Sequence, residues 1–284
     1  MTRSPPLSAY LRGVGLWTPA YANFEAWVAA GQPAELAVSP EQSAASRPAA
    51  ELLHPRLRRR TSVLTRATVT ALEAATGQGG AALDSVRLVL VSSLGEIEAT
   101  VELLAQLGQP HGPVSPTKFH NSVHNTATGY MSIASGNHRE ATALAGGPHN
   151  LEIGALELFA GLAIDGGDAV LLLAEERIPA PFDRADADPT FALALHFGAE
   201  PAGPSHPSSL DLRAQLDPSG SDPKRPGLAR ARLPSMVAPM IEVLRALARL
   251  SAGEAGPSVE AVGLASARDP EVEHGWTLSL EAPA

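Results

Sequence analysis

The chain has 284 residues and a formal net charge of −9, with 18% charged, 44% hydrophobic and only 4% aromatic residues. That acidic balance excludes nucleic acid as the main partner, because neutralising phosphates needs a basic surface. Its lack of cysteine excludes disulfides, thiolate catalysis and cysteine metal sites. The length allows one large α/β domain or two small ones. The N-terminal MTRSPPLSAYLRGVGLW holds no long apolar h-region, and no apolar run approaches bilayer length, so a soluble cytoplasmic protein is expected.

Ala9 to Trp17 reads as a first strand, interrupted by Gly13 and Gly15 and stopped at Thr18-Pro19. Phe24 to Ala30 reads as a short helix ended by Gly31, and residues 32–50, rich in Pro, Ala and Ser, as a surface loop. HPRLRRR, residues 54–60, is the one basic cluster in an acidic chain. It precedes a helix expected over Thr61 to Ala75, with Leu64, Ala67, Ala71, Leu72 and Ala75 on one face. The cluster reads either as a solvated charge run or as a docking surface for an acidic partner, through contacts that salt weakens. Val86 to Val91 suits a buried strand. Ile97, Val101, Leu104 and Leu107 then share a helix face that ends at Gly108 and Pro110.

The longest organised stretch is Ser115 to Glu176. Val123, Ala127, Met131 and Ala134 step at helical spacing, and a short strand follows at about Ala141 to Ala145. Beyond an elbow, Ala155, Leu158, Leu162 and Ile164 form a second helical stripe stopped by Gly166-Gly167. Ala169 to Ala174 is an unbroken apolar run, as in a strand covered on both faces. His120 and His124, four apart on an expected helix, could share a metal. With no adjoining glutamate or third ligand, they read as interface or capping histidines. His149 lies at the elbow, where a general-base role would need Asp or Ser from elsewhere. There is no Gly-x-Ser-x-Gly motif and no phosphate-binding glycine loop. Later, TFALALHF (190–197) suits a strand with a hairpin neighbour at Ser209 to Ala214, and residues 199–232 an irregular connection. Met236 to Leu250 is amphipathic, with Val237, Met240, Ile241, Leu244 and Leu247 on one face, and WTLSLEA supplies a final strand.

Several landmarks keep a common register. Ser115-Pro116, Asn125, Gly129, Gly136 and the Gly167-Asp168-Ala169 turn are spaced as in the β-ketoacyl synthases, which have the thiolase fold. Gly15 four residues before Pro19, and Trp27 four before Gly31, add a weaker match near the start. The resemblance spans about residues 8 to 215 and is strongest from 85 to 176. It implies an α/β, truncated thiolase-like fold, layered helix–sheet–helix. Residues 1–198 would form a ketosynthase-like N-terminal half, and residues 199–284 an irregular loop with a helix and strand packed on the same domain. In those enzymes the elbow holds the nucleophilic cysteine. Ungapped spacing puts Pro148 there, so Gly146, Gly147, Pro148 and His149 would be a vestigial elbow. The two histidine motifs of the family's second half are missing, and the chain ends where that half should begin.

The chain thus resembles the cysteine-free, truncated group called chain length factors, found with aryl polyene pathways. That resemblance implies a non-catalytic subunit forming a heterodimer with an active ketosynthase in type II polyketide or fatty-acid-like synthesis. Arg58, Arg59 and Arg60 would meet the acyl carrier protein. Leu94, Ile97, Val101 and Phe119 would line the end of the acyl tunnel, although Leu94 equally suits core packing. The strand before the elbow would pair across the interface, and no cofactor or metal is implied. Two other readings stay open: an enzyme of altered chemistry, such as a hydrolase using His149, and a homodimeric ligand-binding scaffold.

Overall fold

The structure, a computed structural model, describes residues 7–36, 38–110, 114–183, 189–203, 208, 210–219, 237–252, 259–264 and 275–282. Its strands are β1 (Leu7–Trp17), β2 (Arg87–Val91), β3 (Ala141–Leu144), β4 (Asp168–Glu175), β5 (Phe191–Gly198), β6 (Leu212–Ser219), β7 (Val259–Gly263) and β8 (Gly275–Glu281). All belong to one mixed sheet in the order β3-β2-β4-β5-β1-β6-β8-β7. β2 runs parallel to both β3 and β4, and every other neighbouring pair is antiparallel.

Helices cover both faces: α1 (Phe24–Ala29), α2 (Pro40–Ala45), α3 (Pro55–Arg58), α4 (Val63–Gly79), α5 (Ile97–Leu107), α6 (Pro116–Asn121), α7 (Thr126–Ser135), α8 (Asn150–Asp165) and α9 (Val237–Ser251). Strand alternation divides the core in two. Val170, Leu172 and Ala174 of β4 pack with α4 and α7 on one side. Ala169, Leu171 and Leu173 pack with α1, α8 and α9 on the other. The expected helix–sheet–helix layering therefore holds, and the unbroken apolar run of β4 is the consequence of being covered twice.

Gly13 and Gly15 do not break β1. They seat α4: a Cβ at either position would lie 2.0 Å from a backbone carbonyl oxygen, of Ala75 and Ala71 respectively. The irregularity of β1 is instead a register shift between Leu11 and Gly13 in its pairing with β5, which leaves Arg12 as the extra residue. The Arg12 side chain is buried, and its Nη1 lies 2.5 Å from Asp168 Oδ1 at the start of β4. His196 Nε2 of β5 meets the same oxygen at 3.0 Å, and Arg12 Nη2 donates to the Glu200 carbonyl at 2.6 Å.

Several expectations are corrected. The segment after Ser115 is two helices, because the hydroxyls of Ser122 and Thr126 donate to the Phe119 and Val123 carbonyls and close the helix end between them. Val123 consequently sits in the turn, 40% exposed. Ile164 leaves the stripe of α8 and is 82% exposed, beside the glycine stop. On α5 the fully packed residue is Leu103, while Leu104 and Leu107 face outward, so its longest apolar stripe is on the surface. The strand expected beside β5 pairs with β1 instead, since β5 already has β4 on its other edge. β7 and the short α2 carry too little periodicity to be read from sequence. α9 matches its expected face: Met240, Ile241, Leu244 and Leu247 are buried against the α8 side of the sheet. Met236 and Ser209 lie outside the described residues, as does much of 199–232.

Candidate functional site

The carboxyl ends of β2 and β4 and the elbow after β3 converge on one polar cluster, at the end of the parallel strands where α/β folds gather sites. β3 ends at Leu144, the chain turns through Ala145 and Gly146, and a single 3-10 turn over Gly147–His149 delivers it into α8. Gly147 has φ +55°, a conformation that favours glycine. The first residue of α8, Asn150, is fully buried. Its Oδ1 accepts the Gly146 N–H at 2.5 Å, and its Nδ2 donates to Ser93 Oγ at 3.0 Å and towards Glu175 Oε1 at 3.4 Å. Glu175, the last residue of β4, also accepts the Ser93 N–H at 2.6 Å and the Ser92 hydroxyl at 3.3 Å.

These bonds hold the turn between β2 and α5. Gly95, at φ +60°, donates its N–H to Ser92 Oγ at 2.9 Å, and His124 Nε2 lies 2.9 Å from the Ser92 carbonyl oxygen. Glu96 is buried and accepts the Thr65 hydroxyl at 2.5 Å, while Glu176 accepts the Glu98 N–H at 2.9 Å. Glu96 Oε2 and Glu176 Oε1 are buried with no hydrogen-bond partner among the described residues. Burial pushes the Glu96 carboxyl up, against the opposing hydroxyls of Ser62 and Thr65. Burial, and then the charge of Glu96, pushes Glu176 up to about 8.

His149 Nδ1 lies 2.5 Å from Glu152 Oε2, one turn into α8, and the other oxygen of Glu152 accepts the Trp276 N–H of β8 at 3.1 Å. A carboxylate therefore does reach His149, but among the described residues no serine or threonine hydroxyl meets the ring. The arrangement orients an imidazole and ties α8 to the last strand without supplying a nucleophile. His120 and His124 do not share a helix: His120 stands edge-on to Tyr130 at 5.7 Å, whereas His124 braces the Ser92 turn. Among the described residues no group of three or more His, Asp or Glu could hold a metal ion.

Leu94 is 47% exposed at the tip of the pinned turn, so it does not fill the core. Ile97 and Val101 are half-buried along α5. Phe119, on α6, is 60% exposed, and α6 is tied to α5 by a Lys118–Glu102 ion pair at 2.6 Å. Arg59 and Arg60 are exposed after α3, while the Arg58 guanidinium is partly buried and donates to the Leu53 carbonyl at 3.1 Å. Arg66 stands near Arg47 and Arg58, whose charges, after burial, lower its pKa, so the basic patch is wider than the 54–60 run. Sequence reasoning missed Asn150, Glu152, Glu175, Glu96 and Glu176. The signal was available: carboxylates closing the apolar LLLAEE strand are costly unless something holds them.

A three-layered α/β fold with a strand–elbow–helix unit at the end of a parallel strand set is a thiolase-like arrangement, here without a thiolate. The β-ketoacyl synthase N-terminal domain matches residues 27–251, and the chain belongs to that family. Among solved structures it is similar to a ketosynthase (ApeO) in complex with its chain length factor (ApeC) from Xenorhabdus doucetiae, with 19% identity and a TM-score of 0.64 over 96% of this chain and 99% of that one. The ishigamide ketosynthase/chain length factor gives 15% identity and a TM-score of 0.69, covering 98% of this chain and 100% of the other. AntDE:AntF, a type II PKS acyl-carrier protein in complex with its ketosynthase, gives 11% identity and 0.69, covering 97% and 99%. At these identities the likeness is one of fold. No curated protein matches the chain. No helix among the described residues is long and apolar enough to cross a membrane.

Proposed function

We propose that this chain is a non-catalytic subunit of the chain-length-factor type, which pairs with an active ketosynthase in a cytoplasmic type II polyketide, aryl polyene or fatty-acid-like system. The observation that carries the reading is a combination: near-complete two-way coverage with chains of ketosynthase–chain length factor complexes, in a chain whose elbow region has no cysteine. Two surfaces support an obligate partner. β3 lies at one edge of the sheet, and among the described residues no strand pairs with its outer side. The α5–α6 side exposes Leu94, Leu104, Leu107 and Phe119, an apolar surface of the sort that marks a protein interface.

Co-expression with an active ketosynthase, followed by size-exclusion chromatography and intact-mass analysis after incubation with acyl-loaded carrier protein, tests this. The expected result is a stoichiometric heterodimer with no acyl adduct on this chain. A chain that stays apart as a tight homodimer, or that carries a stable adduct, overturns the reading.

The carrier protein would dock on the basic patch. Reversing the charge of the exposed Arg59 and Arg60 together should slow carrier association several-fold at low salt, with the defect shrinking as ionic strength rises. Stopped-flow association at two salt concentrations measures it. An unchanged low-salt rate leaves the patch as a solvated face.

A further inference from the structure

We propose that Asn150 and Glu175 are positioning residues that clamp the Leu94 turn, and that this clamp sets how sharply the partner's acyl chain is limited in length. The inference rests on the reading above, with Leu94 as an end wall of the partner's acyl tunnel, and adds a physical device to it. Across residues 92–96 only Leu94 is exposed, while Ser92, Gly95 and Glu96 are buried and Ser93 is half-buried. A large apolar side chain at the tip of a loose turn would be a soft obstacle. Here the turn is fixed from three elements. Glu175 at the end of β4 takes the Ser93 N–H and the Ser92 hydroxyl, Asn150 at the start of α8 holds Ser93 Oγ, and His124 before α7 holds the Ser92 carbonyl.

Asn150 does more than hold the turn. The same amide accepts the Gly146 N–H, so one buried side chain couples the elbow to the Leu94 turn and sets the spacing between them. A wall that limits a chain by volume discriminates only as well as it resists displacement. Leu94 supplies the volume, and the Asn150–Glu175 network supplies the stiffness. The two roles predict different failures: loss of volume shifts the limit, whereas loss of stiffness blurs it.

Hydrogen exchange on the chain and product analysis on the reconstituted complex separate these effects. In the chain, Asn150→Ala and Glu175→Ala should raise exchange at the Ser93 and Gly95 amides at least tenfold, while amides inside β2 and β4 keep their rates. Glu175→Gln retains an acceptor for the Ser93 N–H and should restore protection. Ser93→Ala, which removes only the hydroxyl held by Asn150 and leaves the Ser93 N–H on Glu175, gives a smaller release with less risk to folding. In the complex, Leu94→Ala should move the product distribution to longer chains. Asn150→Ala and Glu175→Ala should spread it to neighbouring lengths on both sides, with Glu175→Gln near wild type. Unchanged exchange at Ser93 and Gly95, or a freed turn that still gives a sharp wild-type profile, overturns the clamp. Failure of any complex to form overturns the subunit reading instead and leaves the exchange result to judge the clamp alone.

Discussion

Asp168→Ala should destabilise the chain by about 3–5 kcal/mol, the cost of leaving a buried cation without its counter-ion. Asp168 Oδ1 receives both Arg12 Nη1 and His196 Nε2, and the side chains of Arg12 and His196 are 5% and 0% exposed. The Arg12 guanidinium keeps its bond to the Glu200 carbonyl but loses its only carboxylate partner among the described residues. Against a total stability of about 5–15 kcal/mol for a typical domain, such a loss decides whether the protein is folded at growth temperature. The close approach is built into the backbone, for a Cβ at Gly79 would lie 1.9 Å from His196 Nδ1 and one at Gly198 2.2 Å from Arg12 Cζ. Urea denaturation is the measurement, with Arg12→Leu combined with Asp168→Leu as the second arm. That double variant removes both charges and should be less destabilised than the sum of its single changes. A loss below about 1 kcal/mol for Asp168→Ala, or strict additivity in the cycle, would show the bulge to be held by other contacts.

Glu176→Gln should stabilise the chain in mildly alkaline solution and change little in acid. The folded carboxyl titrates at about 8, because of burial and the nearby charge of Glu96, whereas an unfolded Glu titrates near 4.3. Between those values the folded state holds the extra proton, so folding stability falls as pH rises. The contribution is complete below about pH 4.3 and is lost by the time pH has passed 8. At about 1.4 kcal/mol per unit, the wild type should lose on the order of 3–4 kcal/mol relative to the Gln variant between pH 5 and 8. Glu96 is shifted in the same direction and steepens the wild-type slope. Chemical denaturation of both proteins across that range checks it. Parallel stability curves would mean that Glu176 is already ionised in the folded chain at pH 5, with its charge accommodated.

The elements legible in the sequence were those whose periodicity is enforced by burial. β4, covered on both faces, and α4, with a full apolar stripe, stood where their patterns put them. The elbow and its family resemblance were legible because glycine and turn residues keep their spacing when side chains drift. Pattern failed where another rule wins. The single helix read across His120 and His124 divides because Ser and Thr hydroxyls compete for backbone carbonyls, a preference that apolar spacing does not register. The outward stripe of α5 obeys helical periodicity and still faces away from the core, since periodicity says that a face is apolar and not what covers it. The polar cluster was the least legible part of the site. Asn150, Glu175 and Ser93 lie far apart in sequence and meet only through the parallel pairing of β2 with β4 and the placement of α8.

The position of β1 also governs how the protein comes into being. It precedes the other described strands, yet its two neighbours in the sheet are β5 and β6, with Tyr10 opposite Gly198 on one side and Arg213 on the other. At about 5–20 residues per second, a ribosome needs roughly 10–40 s after making β1 to deliver a strand that can pair with it. During that interval an apolar segment of eleven residues has two open edges and no sheet to join. Parallel β2, β3 and β4 can assemble in the meantime, but β5 and β6 are joined into one sheet only when β1 is brought between them. Chaperone demand during synthesis follows from this order of events.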